Sequence, residues 1–229
     1  MNRKANRMRT VLALLLCLCA VAHGESYQPA NGDQARRQAI SLFLECAFHP
    51  EYGAETGRLN RWEEEITVWA GGSPTREDLA ALDRFLAEAP ARAEGLPPLR
   101  RVRQDSQANI RIWFIPEYMM PYYLEDYVDG NKGFFRYETR KDRIVSARIG
   151  IAADTTEQEE RDHLILEELV GALGLPGDHL KYRDSILYDG WTVTRELSEV
   201  DWQMLAILYS GELRAGMTEK EASDLLWGR

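Results

Sequence analysis

Side chains able to do chemistry gather in one stretch of this chain, His163-Leu-Ile-Leu-Glu167-Glu168-Leu-Val-Gly171-Ala-Leu-Gly174-Leu-Pro-Gly177-Asp178-His179. Spacings of four place His163, Glu167 and Gly171 on one helical stripe. His163 and Glu167, joined by Asp178 or His179 after the turn, could therefore make a displaced metal site of two nitrogens and a carboxylate. Glu168 lies between Ile165 and Ala172 at helical spacing, on the apolar stripe, where a carboxylate needs donors. Two roles stay open for it. It ties the helix to backbone amides or to a tyrosine of the Ser185–Tyr188 turn, or it acts as a metal-free acid or base. The neighbouring carboxylates diverge by about 100° on a helix, so they cannot flank one scissile bond without a further acid such as Asp178 or Asp184. The chain has no Ser-His-Asp elbow, Cys-His pair, phosphate-cradling glycine loop or dinucleotide fingerprint.

The same stretch resembles the HExxHxxGxxHD segment of metzincin zinc peptidases, in which three histidines hold the metal and a glutamate is the base. In that register Glu168 falls on the catalytic glutamate, Gly174 on the turn glycine and Asp178 on the acid after the last ligand. The ligand positions are occupied by Glu167, Gly171 and Gly177. Asp184-Ser185-Ile186-Leu187-Tyr188 is similar to the Ser-Ile-Met turn beneath the metal, and Leu197–Asp201 leading to Leu208-Tyr209 is similar to the helix that closes the fold. With its Glu-Glu-Leu, Ala-Leu-Gly-Leu, Ser-Ile-Leu and Leu-Arg-Ala-Gly-Met217 pieces, the chain most resembles, over about Trp62 to Met217, the exported bacterial family called domain of unknown function 2927. That resemblance implies a degenerate, metzincin-like α/β (α+β) domain, with a small mixed sheet packed by a long active-site-type helix and C-terminal helices. Catalytic zinc usually takes three protein ligands and a water, whereas past Gly24 the only histidines are His49, His163 and His179. No cofactor is expected, with zinc at the displaced His163/Glu167/His179 site as the alternative.

These residues need elements to hold them. Helical spacing from Asp33 through Phe48 predicts a first helix ending before Pro50, with Cys46 as a buried apolar thiol. A short strand at Glu65–Trp69 is expected to break at Gly71-Gly72. Thr75 and Asp78 open a helix with Leu79, Leu82 and Leu86 as its buried stripe. Ala108–Phe114 alternates as a strand, and Arg143–Ile151 does so with Val145, Ala147, Ile149 and Ile151 on one face. Between them Pro116–Phe135 is an insert rich in tyrosine, phenylalanine and acids. Its rings, Tyr122 and Tyr123 among them, either rim a cleft over Glu168 or fold onto their own sheet. Capping boxes at Thr156/Glu159, Ser198/Asp201 and Thr218/Glu221 open three more helices, the first ending at Gly174.

Arg3, Lys4, Arg7 and Arg9 precede an apolar run from Val11 to Ala22, about 12 residues, well short of the about 20 that span a bilayer. It reads as a signal peptide, cleaved after Ala22 or Gly24, of an exported periplasmic or secreted protein with no transmembrane segment afterwards. The expected organisation is a signal at 1–24, a leader and helix at 25–60 and the main domain at 61–229. Of 229 residues 45% are hydrophobic and 28% charged, in line with one globular domain. Loss of the four basic residues moves the formal net charge from −9 to −13, which disfavours nucleic acid as a partner. Cys17 and Cys19 leave with the signal, so Cys46 has no partner for a disulfide. Two functional classes remain: a non-catalytic module binding a protein or peptide in the cell envelope, or a hydrolase working through the displaced site or through Glu168. Candidate cleft residues are His163, Glu167, Glu168, Asp178, His179, Tyr122, Tyr123, Ser185 and Tyr188.

Overall fold

The computed structural model describes residues 24–52 and 57–228; the signal segment, up to residue 23, lies outside them. In chain order the elements are α1 (Gly32–Phe48), β1 (Ile66–Gly72), α2 (Arg76–Arg92), β2 (Leu99–Arg101), β3 (Ile110–Ile115), α3 (Met120–Tyr123), β4 (Gly133–Arg140), β5 (Arg143–Ala152), α4 (Gln158–Ala172), α5 (Glu199–Leu208) and α6 (Glu219–Leu226). The sheet order is β2-β1-β3-β5-β4, with every pairing parallel except that of β4 with β5. This is the mixed α/β domain that the sequence predicts.

Period-two alternation in β1, β3 and β5 puts Ile66, Val68, Ile110, Ile112, Phe114, Ala147, Ile149 and Ile151 into the main core beneath α2 and α4. α1 packs on α5 and buries Cys46 as expected. The aromatic insert folds mostly onto the opposite face of the sheet. Met120 and Leu124 fill the space above Gly150, and Tyr123 packs at a tilt against Trp113, which itself meets Trp69 edge-on.

Four local expectations are corrected. β1 runs on through Gly71 and Gly72, where a Cβ would strike the Trp69 ring and the Phe114 carbonyl, so the glycines permit close approach instead of breaking the strand. Phe134 and Phe135 open a strand of their own, β4, hairpinned to β5. A register shift between Glu138 and Thr139 leaves Val145 opposite no residue, so Ile144 faces the core and Val145 is exposed. Thr156 caps nothing: its hydroxyl donates to the Ala152 carbonyl, and Glu157 begins α4 without a side-chain cap.

The start of α4 is held from another helix. Asp78, fully buried in the capping box of α2, also accepts from Gln158 Nε2 at 2.7 Å and Arg161 Nε at 3.1 Å. Its far end is held by aromatic donors, because the last carbonyls of a helix lack partners within it. Trp62 Nε1 donates to Ala172 O at 2.9 Å and the Tyr209 hydroxyl to Leu173 O at 2.7 Å. Arg61 does the same for α5, donating to Leu208 O and Leu213 O at 2.7 and 2.8 Å. α4, which carries Glu167 and Glu168, is thus fixed at both ends.

Candidate functional site: an acidic, aromatic-walled cleft

A cleft of about 560 Å³ opens between α4, β4 and the loop 176–191. Its floor is Glu168, only 8% exposed. No described residue donates a hydrogen bond to the Glu168 carboxylate, so the expected tie to backbone amides or to a tyrosine of the 185–188 turn is absent. Instead Oε1 rests over Gly133, where an added Cβ would come within 2.4 Å of it. Glycine at the start of β4 makes the room that the carboxylate occupies.

Further acids share the cleft: Glu167, Asp178, Glu51 and Asp189. Burial, and then the neighbouring carboxylates, hold Glu167 and Glu168 well above the ordinary carboxyl range. The same two causes raise Asp178 to about 8, and its carboxyl lies within hydrogen-bonding reach of Glu51. The basic side chains at the rim do not offset them. Lys132 pairs with Glu160 at 3.0 Å, and Arg136 lies over the Phe134 ring and donates to the Glu125 and Asp126 carbonyls. Arg58 donates to Gly216 O. Walls of Tyr52, Phe135, Tyr137 and Tyr188 rise above the acids, with Trp191 at the rim 83% exposed.

β4 is an edge strand, paired only with β5, and residues 131–137 and Thr139 line the cleft. Its outer edge therefore borders the same space as the acids. Such an edge offers backbone donors and acceptors to an added extended segment.

The other predicted residues divide between the cleft and the structure behind it. Glu167, Asp178 and Tyr188 line the cleft with Glu168, whereas Tyr122 is exposed elsewhere and Tyr123 packs on Trp113, so neither rims it. His163, predicted half-exposed, is buried. Its Nδ1 lies 2.8 Å from Thr194 O, which fixes the proton there, and Nε2 lies 3.5 Å from Glu167. Burial lowers its pKa, so the neutral ring presents Nε2 to Glu167 as an acceptor.

His179 is buried in a relay behind the cleft. Its Nδ1 accepts from Lys181 N at 3.2 Å, so Nε2 donates to Ser185 Oγ at 3.0 Å, and Ser185 donates to Asp201. Asp201 also accepts from Ile186 N and caps α5 with Ser198. The Ser185 hydroxyl, fully buried, is a strut and not a cleft group.

Both imidazoles are thus committed away from a common point, and among the described residues no three His, Cys, Asp or Glu are placed to hold a metal ion. At the positions onto which the metzincin motif lays its second and third ligands, a side chain would meet occupied space. A Cβ at Gly171 would enter the Phe135 ring at 2.4 Å, and one at Gly177 would lie 2.1 Å from the His49 carbonyl oxygen. The residues present do not fit a three-histidine zinc.

Sequence reasoning missed Glu51, Gly133, Asp189 and Trp191 as cleft residues and did not single out Phe135 among the rings of the insert. Gly133-Phe134-Phe135 was the available signal, a glycine followed by two rings leaving an irregular insert.

Among curated proteins nothing matches this chain. A solved structure of myroilysin aligns with it at 14% identity and a TM-score of 0.41, over 82% of this chain and 92% of that one. Residues 36–227 match the profile of the protein family of unknown function DUF2927, and the chain belongs to that family.

Proposed function

We propose that the protein is an exported, non-catalytic peptide-binding module on a metzincin-like frame, in which an extended segment lies along β4 with a side chain entering the cleft. The observation that carries this reading is Glu168: a buried carboxylate without a donor among the described residues, facing a roomy cleft bordered by a free strand edge. Its carboxylate faces the cleft, where an incoming ligand can supply the donor that no described residue provides. Glycines in place of ligands at 171 and 177 support binding without metal-assisted hydrolysis. Export rests on the basic and apolar residues between Arg3 and Ala22.

Panning a displayed random-peptide library against the purified mature protein tests the reading. Enrichment is expected, and it is expected to vanish in Gly133→Leu, which fills the cleft beside Glu168. Enrichment indifferent to that substitution overturns the proposal, as does stoichiometric zinc or chelator-sensitive cleavage of casein.

A second reading has one observation in its favour. A carboxyl that keeps its proton at neutral pH is suited to general acid catalysis; Asp178, raised to about 8, is of that kind, and burial shifts Glu168 in the same direction. Peptide or glycoside hydrolysis that survives chelation and His163→Ala but is lost in Glu168→Gln would establish it.

A further inference from the structure

We propose, resting on the peptide-binding reading, that the side chain received by the cleft is basic, a lysine or arginine whose cationic head meets Glu168, Glu167 and Asp178 while its stem lies between the aromatic walls. The observations are the arrangement of charge and the shape of the space. Acids reach the cleft from three separate parts of the chain: Glu51 after α1, Glu167 and Glu168 from α4, and Asp178 and Asp189 from the loop 176–191. The basic groups facing the same space are Arg58, Lys132 and Arg136, each bonded to a carbonyl or to another acid outside the cluster. Burial first and the neighbouring carboxylates next disfavour the ionised acids, and a cation on the ligand would offset both.

Glu168 supplies an independent pointer, since it is more than nine-tenths buried, accepts from no described donor and lines the cleft. A compact divalent ion suits the site less well, because no three acids converge closely enough to coordinate one. A guanidinium or ammonium reaches dispersed carboxylates through several N–H bonds. The ring faces of Phe135, Tyr137 and Tyr188 suit the methylene stem and the cation itself. Because Asp178 titrates near 8, docking the cation must expel protons at neutral pH, and affinity must rise with pH until these acids are ionised. Tyr188 faces the same space, and burial raises Tyr52 and Tyr137 above the ordinary phenol value, so those two stay protonated across that range.

The test is calorimetric titration of the mature protein with capped pentapeptides carrying lysine, arginine, norleucine or glutamate between paired alanines. Lysine and arginine peptides are expected to bind about tenfold or more tightly than the norleucine peptide, with proton release revealed by two buffers of different ionisation enthalpy. Glu168→Gln and Asp178→Asn, folded by circular dichroism, are expected to lose that preference. Equal binding of the norleucine peptide overturns the basic-residue inference and leaves peptide binding standing. If none of the four binds and library panning also fails, both fall. Tight binding of calcium or zinc alone, displacing the lysine peptide, also overturns it.

Discussion

Glu168 and Asp201 are both buried acids, and their surroundings assign them opposite roles. Asp201 accepts from Ser185, the Ile186 amide and both donors of Ser198, so its burial is compensated. Replacing it by asparagine turns one acceptor into a donor aimed at other donors. Asp201→Asn is expected to destabilise the protein by about 2–4 kcal/mol in urea unfolding. Glu168 has no such donors, so Glu168→Gln, which keeps the shape and removes the ionisation, is expected to raise stability at pH 8 by about 1–2 kcal/mol while abolishing ligand binding. A loss of stability there would mean that Glu168 is a structural strut. The sequence made Glu168 conspicuous, because it places a carboxylate on the apolar stripe of a helix. Its lack of donors was not legible, since that depends on Gly133, distant in the chain and brought opposite by the β4–β5 hairpin.

Elements whose signals lie within a few residues were legible, and those set by tertiary contact were not. Thr75/Asp78, Ser198/Asp201 and Thr218/Glu221 form capping boxes as the local pattern predicts. Thr156/Glu159 has the same pattern and forms none, because the Thr156 hydroxyl donates back to the Ala152 carbonyl and Glu157 takes the N-cap position. The bulge at Val145 and the capture of helix C-termini by Arg61, Trp62 and Tyr209 follow from packing across the molecule. The C-terminal half of α4 and the turn after it are shaped around absent side chains. The Phe135 ring fills the notch at Gly171, and the 46–49 backbone lies on Gly177 through the 2.8 Å bond from Gly177 N to Cys46 O. Gly177→Ala is therefore expected to cost about 2 kcal/mol or more, since only a backbone shift relieves the clash. Placing histidines at 167, 171 and 177 together is expected to lower the midpoint of thermal unfolding without producing zinc affinity. A stable triple variant that binds zinc stoichiometrically would show that the Phe135 ring and the 46–49 backbone can give way to side chains at 171 and 177.

The whole molecule stores its acidic repulsion in one cleft, and this sets how its stability responds to pH. Burial first, and Lys181 next, lower His179 to about 4 in the folded state against about 6.5 unfolded, so its neutral form contributes stability that is lost as pH falls from 6.5 towards 4. The cleft carboxyls act in the other direction. Their folded pKa values are raised, so the stability they contribute is complete below the unfolded carboxyl range and is lost as pH rises towards the folded value, about 8 for Asp178. Between pH 4 and 6.5 the two trends oppose, and above 6.5 only the acids remain. From pH 6.5 to 8.5 Asp178 alone removes about 2 kcal/mol as an upper figure, which for a domain of this size lowers the unfolding midpoint by roughly 4–8 °C. Scanning calorimetry across that range is expected to show the fall in the free protein and a flatter profile in Asp178→Asn. A saturating lysine pentapeptide should flatten it too, because a docked cation returns the acids towards their unfolded pKa values. A flat profile in the unmodified protein would mean that the cleft acids are not buried against one another, and would remove the repulsion on which recognition of a basic side chain depends.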